Sequence, residues 1–175
     1  MLPDPLHPAL VHFPIVFAVL LPIVAIAVLW ALRTGVARTR AWGLVVALAS
    51  ALTVASWLTV QSGEQQEERV EELVAEAALE THEEAAELFL LLTWAALVVA
   101  AAGIAPGVVG SSARIVSVVV AMMVLVAGWR VGHSGGELVY RHGAAQAYAP
   151  DGGWQGTPEL ELSSLDESLD DESDD

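Results

Sequence analysis

No cysteine occurs anywhere in the 175 residues. Disulfides, iron–sulfur clusters, thiolate metal sites and covalent c-type haem attachment are therefore excluded. Histidine, carboxylates, methionine and backbone carbonyls remain as possible ligands. Lysine is absent too, so all 7 basic residues are arginine, and against 22 acids they leave a net charge of −15. Nucleic acid is disfavoured as a partner, because phosphate binding needs a basic face. Residues 1–8 lack a basic n-region, and no small-residue cleavage site follows the first apolar run at signal-peptide distance. That run reads as a retained membrane helix and not as a signal peptide.

What the chain has in excess is apolar surface. Hydrophobic residues make up 55% of it, and its mean hydropathy of +0.56 points to the membrane class. Four apolar runs, at approximately 9–32, 41–61, 87–104 and 114–132, are long enough to cross a core of roughly 30 Å at about 1.5 Å per residue. The expected fold is an all-α, integral membrane four-helix bundle over residues 1–149. A Gly-, Ser- and acid-rich tail from 150 to 175 should be disordered. Between the second and third runs, residues 62–80 read as an outer amphipathic helix, with Val70, Leu73, Val74 and Ala77 at helical spacing. Ser62 with Gln65, and Thr81 with Glu84, have capping-box spacing, so the third helix is expected to begin near His82.

Within the runs, Pro22 should kink the first helix, and Pro14 either sits in its first turn or kinks it. Ser50, Thr53, Ser56 and Thr59, Ala47, Ala51 and Ala55, and the Gly128–Gly132 pair suit close helix packing. Trp30, Trp42, Trp57 and Trp129 have the placement of interfacial belts. Arg33, Arg38, Arg40 and Arg114 lie in or beside two acid-free connections, which the positive-inside rule makes cytoplasmic, with Arg69, Arg130 and Arg141 left on the outer side. The protein should then sit in the cell membrane with both termini, and all 22 acids, outside.

With that topology all 5 histidines gather at the outer ends of the helices. His7 and His12 lie in the string LHPALVHFP, His82 begins the third helix, and His133 and His142 bracket GHSGGELVYRHG. The glycines of that last string are expected to break the helix after His133 and leave bare backbone. Neutral imidazole is a common metal ligand and a haem axial ligand. His12 with His133 is the favoured axial pair for haem b. His82 is the reserve ligand, with His7 and His142 alongside, and Arg130 and Arg141 would hold the propionates. His12, His133, His82 and Glu137 form the alternative set for a non-haem metal. Met122 and Met123 sit mid-helix and read as packing.

LHPALVHFP, Ser62-Gly63-Glu64, Thr81-His82-Glu83 and GHSGGELVYRHG together resemble a family of small prokaryotic membrane proteins, catalogued as domain-of-unknown-function family 2231, over roughly residues 5–145. The resemblance implies a four-helix membrane domain and no particular activity. The chemistry above points to an outward-facing His/Glu/Arg cluster that binds haem b or another metal for a redox or electron-transfer role. The alternatives are an accessory subunit docking an extracytoplasmic partner, such as a redox protein, or a small transporter. The cytoplasmic half offers no acid or histidine along a path through the bilayer. Ser134 beside His133 is not a nucleophile motif.

Overall fold

A computed structural model describes residues 6–71 and 74–148, and the acidic tail from 150 onward lies outside the described residues. The helices are α1 (His7–Leu10), α2 (His12–Leu32), α3 (Arg38–Glu64), α4 (Glu67–Glu71), α5 (Glu76–Ala102) and α6 (Gly107–Tyr140), with a 3-10 turn at Ala144–Tyr148. The joint between α1 and α2 falls where Pro14, without an N–H, leaves the Leu10 carbonyl without its helical donor. Pro22 does the same for Ala18 and is absorbed inside α2. Four helical segments, His7–Leu32, α3, α5 and α6, are long and apolar enough to span a membrane.

The helices outrun the apolar stretches of the sequence. At about 1.5 Å per residue α6 is about 51 Å long, against a hydrocarbon core of roughly 30 Å. Its exposed large apolar side chains run from Val108 to Trp129 and resume only at Val139 and Tyr140, past the polar stretch 130–137; those of α5 run from Leu88 to Val98. The start of α5 and the last turns of α6 therefore project beyond the apolar belt at one end, the histidine end. Charge stops a hydropathy run; it does not stop backbone hydrogen bonding.

α2 packs on α3, α3 on α5, α5 on α6, and α6 back on α2, closing a square. The interior is built on small residues, including Ala18, Ala25, Ala49, Ala96, Ala100 and Ala121. Lipid is as apolar as the side chains, so close backbone approach and dispersion hold such a bundle together. Thr53, Ser56 and Ser117 each donate to the carbonyl four residues earlier in their own helix, and the Thr53 hydroxyl also lies 3.1 Å from Thr93 O of α5. Among the described residues no buried side-chain N or O lacks a partner.

Several local expectations are corrected. No single helix covers 62–80: α3 continues through Ser62 to Glu64, α4 is a separate turn, and α5 already begins at Glu76. Neither capping box forms, because Ser62 Oγ donates back to Thr59 O and Thr81 Oγ1 to Ala77 O. The glycines after His133 do not end the helix; α6 runs on to Tyr140. Its last turns are held by a second small core, in which Leu138 packs with Val74 and Ala144 against Val70, Ala78 and Leu79. Trp42 is not interfacial but fully buried, its Nε1–H donating 2.8 Å to Ala100 O. Arg114 is also buried, inside α6, and reaches Gly103 O at 2.6 Å. Of the Gly128–Gly132 pair, Gly128 meets Phe89 and Gly132 faces open space.

Candidate functional site

The histidine end brings two imidazoles inward. His7, at the start of α1, is half-buried against the end of α3. Its Nδ1 lies 3.0 Å from Thr59 O and 3.2 Å from Ser62 Oγ. A carbonyl only accepts, and the single Ser62 hydroxyl proton is donated to Thr59 O at 2.8 Å. His7 Nδ1 must therefore carry the ring proton and donate to both oxygens. His82, in the second turn of α5, is half-buried against α6 and repeats the arrangement. Its Nδ1 lies 2.9 Å from Ser134 Oγ, and Ser134 donates its own proton to Val131 O at 3.1 Å. With the Ser134 proton on Val131 O, His82 Nδ1 is the nitrogen that donates, as in His7.

This tautomer leaves the lone pair of each ring on Nε2. Among the described residues neither Nε2 has a hydrogen-bond partner, and neither is sealed from solvent. The two rings lie within electrostatic reach of each other. Each is seated on a glycine: a Cβ at Gly63 would come 3.2 Å from His7 Cε1, and one at Gly135 would come 3.0 Å from His82 Cε1. A side chain at either position would crowd the ring, which would have to give by a few tenths of an ångström.

The remaining candidates point elsewhere. His12 is exposed beside Phe13. His133 stacks on Trp129 of its own helix, ring centroids 5.4 Å apart, with its side chain 61% exposed and Nε2 3.9 Å from Glu137. His12 and His133 therefore do not line the inward-facing site. His142 is exposed beyond α6. Arg141 is held by Glu137 at 2.8 Å, and Arg130 is exposed. Among the described residues no group of three or more His, Asp or Glu side chains forms a closed ligand set, so His12, His133, His82 and Glu137 are not gathered around one point. Met122 and Met123 are exposed on the apolar belt. Acids crowd the same end of the bundle as an acidic rim, with Glu83, next to His82 in α5, in electrostatic reach of Glu67, Glu87, Glu71 and Glu80.

The residues missed in the sequence are the acceptors, Thr59, Ser62, Val131 and Ser134, and the two glycine seats. A signal for the inward histidines was present. Pro14, Ala18, Leu21, Ala25 and Val28 are the buried face of α2, and Phe89, Thr93, Ala96 and Ala100 that of α5. His7 lies one heptad before Pro14 and His82 one heptad before Phe89, which places both on the inward stripe.

A family described as “Predicted membrane protein (DUF2231)” matches residues 3–147. No curated protein matches the chain, and no solved structure does.

Proposed function

We propose that this chain, which belongs to the DUF2231 family of predicted membrane proteins, binds a redox-active transition-metal cation through His7 Nε2 and His82 Nε2. The observation that carries the reading is the paired arrangement: both Nδ1 atoms are tied to helix oxygens, and among the described residues neither Nε2 has a hydrogen-bond partner. That is how protein metal sites orient imidazole, with the far nitrogen donating to a carbonyl or hydroxyl. Imidazole suits copper, iron, nickel and zinc, and two such ligands leave coordination positions open for water or a reductant.

Haem b fits less well than a bare ion. The two imidazoles supply the right axial donors. Haem propionates, however, would enter an acidic rim, with Arg141 already engaged by Glu137. The same rim concentrates cations at the site. The function that follows is metal-based electron transfer or metal handling at the membrane surface. A basic docking partner would suit the acidic rim. The test is detergent-purified protein titrated with Cu(I) and, separately, with haemin. One Cu(I) per chain is expected and no stoichiometric haemin. A Soret band from bound haemin would make the ligand haem, and uptake of neither would overturn the reading.

The orientation that goes with this function places the histidine end outside the cell. Its support is that Arg33, Arg38, Arg40 and Arg114 lie at the opposite end, where no acid is found. A phosphatase that is active only outside the cytoplasm, fused to the C-terminus, should then be active. An inactive phosphatase together with a fluorescent cytoplasmic fusion would invert the site.

A further inference from the structure

We infer that the chain is two tandem copies of one helical hairpin, and that His7 and His82 are equivalent residues facing one ligand across the pseudo-two-fold axis between the copies. The inference rests on the metal reading for the identity of the ligand but on separate observations for the axis.

Two anchors in the sequence fix how the halves correspond. His7 at the entrance to the first hairpin recurs 75 residues on as His82 at the entrance to the second. Trp57, Ser62 and Gly63 near the end of α3 recur 72 residues on as Trp129, Ser134 and Gly135 near the end of α6. The two sets act alike in space. Each histidine donates from Nδ1 to its own hairpin's serine, and each ring rests on the glycine beside that serine. Each tryptophan is exposed on the outside of the bundle.

The buried faces then follow without adjustment. A helix repeats its buried face every three to four residues, so some shift always brings two faces into phase. Here the shift is not free. The histidine anchor maps Ala18, Leu21 and Ala25 onto Thr93, Ala96 and Ala100, and all are buried. The Trp-Ser-Gly anchor maps Val45, Ala49 and Leu52 onto Ser117, Ala121 and Val124, and all are buried. The helix neighbours agree. Exchanging the hairpins turns the α3–α5 contact into α6–α2, and both contacts exist, with α2 diagonal to α5. Both hairpins run in the same sense, so the axis lies along the bundle, as in parallel-repeat membrane proteins. The copies have diverged below the site, where Thr53, Ser56 and Thr59 correspond to Leu125, Gly128 and Val131.

A site on such an axis takes one ligand with one imidazole from each half. The cysteine-free chain makes the geometry testable without metal. The full-length His7→Cys/His82→Cys variant, treated with a short bis-maleimide, should lose both thiols to a link within one chain. Trp57→Cys/Trp129→Cys, equivalent positions that face outward, should not link within the chain. Links only between chains, or equal linking of the two pairs, would overturn the paired site. In the metal arm, His7→Ala and His82→Ala should weaken Cu(I) binding by the same factor, within about threefold. Two ions per chain, or loss through one histidine alone, would overturn the shared ligand. Linking of the first pair with no metal uptake would leave the paired site standing and remove the metal reading.

Discussion

Replacing His82 with alanine is expected to remove Cu(I) binding at micromolar metal, and replacing His7 should remove as much. Each ring supplies one of two protein donors, so either loss leaves a single imidazole in the acidic rim. The fall in affinity should exceed the roughly 10–100-fold that loss of an outer-shell partner costs. Ser134→Ala gives the internal comparison. It keeps the His82 ring but deprives Nδ1–H of its hydroxyl acceptor, and should weaken binding within that 10–100-fold range. Gly135→Ala should act similarly, because the new methyl would press on His82 Cε1. The double variant His7→Ala/His82→Ala should bind no worse than either single one, since residues acting on one ion are not additive. His12→Ala and His133→Ala should stay near wild type, as both rings face outward. Folding controls the interpretation: loss of one histidine hydrogen bond costs about 1 kcal/mol, so gel-filtration elution and helical circular dichroism should not change. Equal loss from all four single histidine variants would reject the site as drawn.

The contrast between His7 and His12 shows how much of the site was legible and where reading by depth goes astray. The four helices were visible because apolar runs of spanning length have few alternatives. The end at which the histidines gather followed from the order of the runs. Choosing among the histidines needed helical phase instead. His12 lies deeper in the apolar run, yet it shares its side of α2 with Phe13 and Val16, both exposed. His7 is nearer the terminus but lies on the stripe of Pro14, Ala18 and Leu21. His133 follows the exposed Trp129 by one turn, whereas Ser134 shares a face with buried Leu138 and Ala127. Phase was available in the spacing of alanines. The repeat was available in the two Trp-Ser-Gly sets.

What could not be read locally depends on a partner distant in sequence. The α6 glycines look like breakers, and one of them is a seat for a ring 53 residues away. The capping boxes failed for a related reason. Thr81 and Ser62 already lie inside helices whose starts and ends are held by tertiary contacts, so their hydroxyls bond backward along the helix.

Trp42→Ala is expected to be the most destabilising single change in the bundle. Trp42 flanks the connection 33–40 as Trp30 does, a placement that suits the membrane interface. Its indole instead fills the arginine end of the core at 0% exposure, donating to Ala100 O. Gly103 makes the space, since a Cβ there would overlap the ring. Truncating a buried aromatic costs about 3–5 kcal/mol. Lipid outside the bundle offers little hydrophobic drive, so most of that loss is packing and cavity formation. For a chain of this size it corresponds to a fall of about 6–20 °C in the melting midpoint, measurable by circular dichroism in detergent. Trp42→Phe should lose far less, about 1 kcal/mol for the hydrogen bond, because Ala100 O still accepts from Gly103 N–H. Gly103→Ala probes the same contact from the other side: one added methyl should cost about 1–3 kcal/mol by overpacking. It should also disturb Arg114, which reaches the Gly103 carbonyl. If Trp42→Ala melts within a degree or two of wild type, the indole is not the anchor of this end. The arginine end must then be held by its other buried contacts, Val28, Val45 and Ala100 among them, together with Arg114.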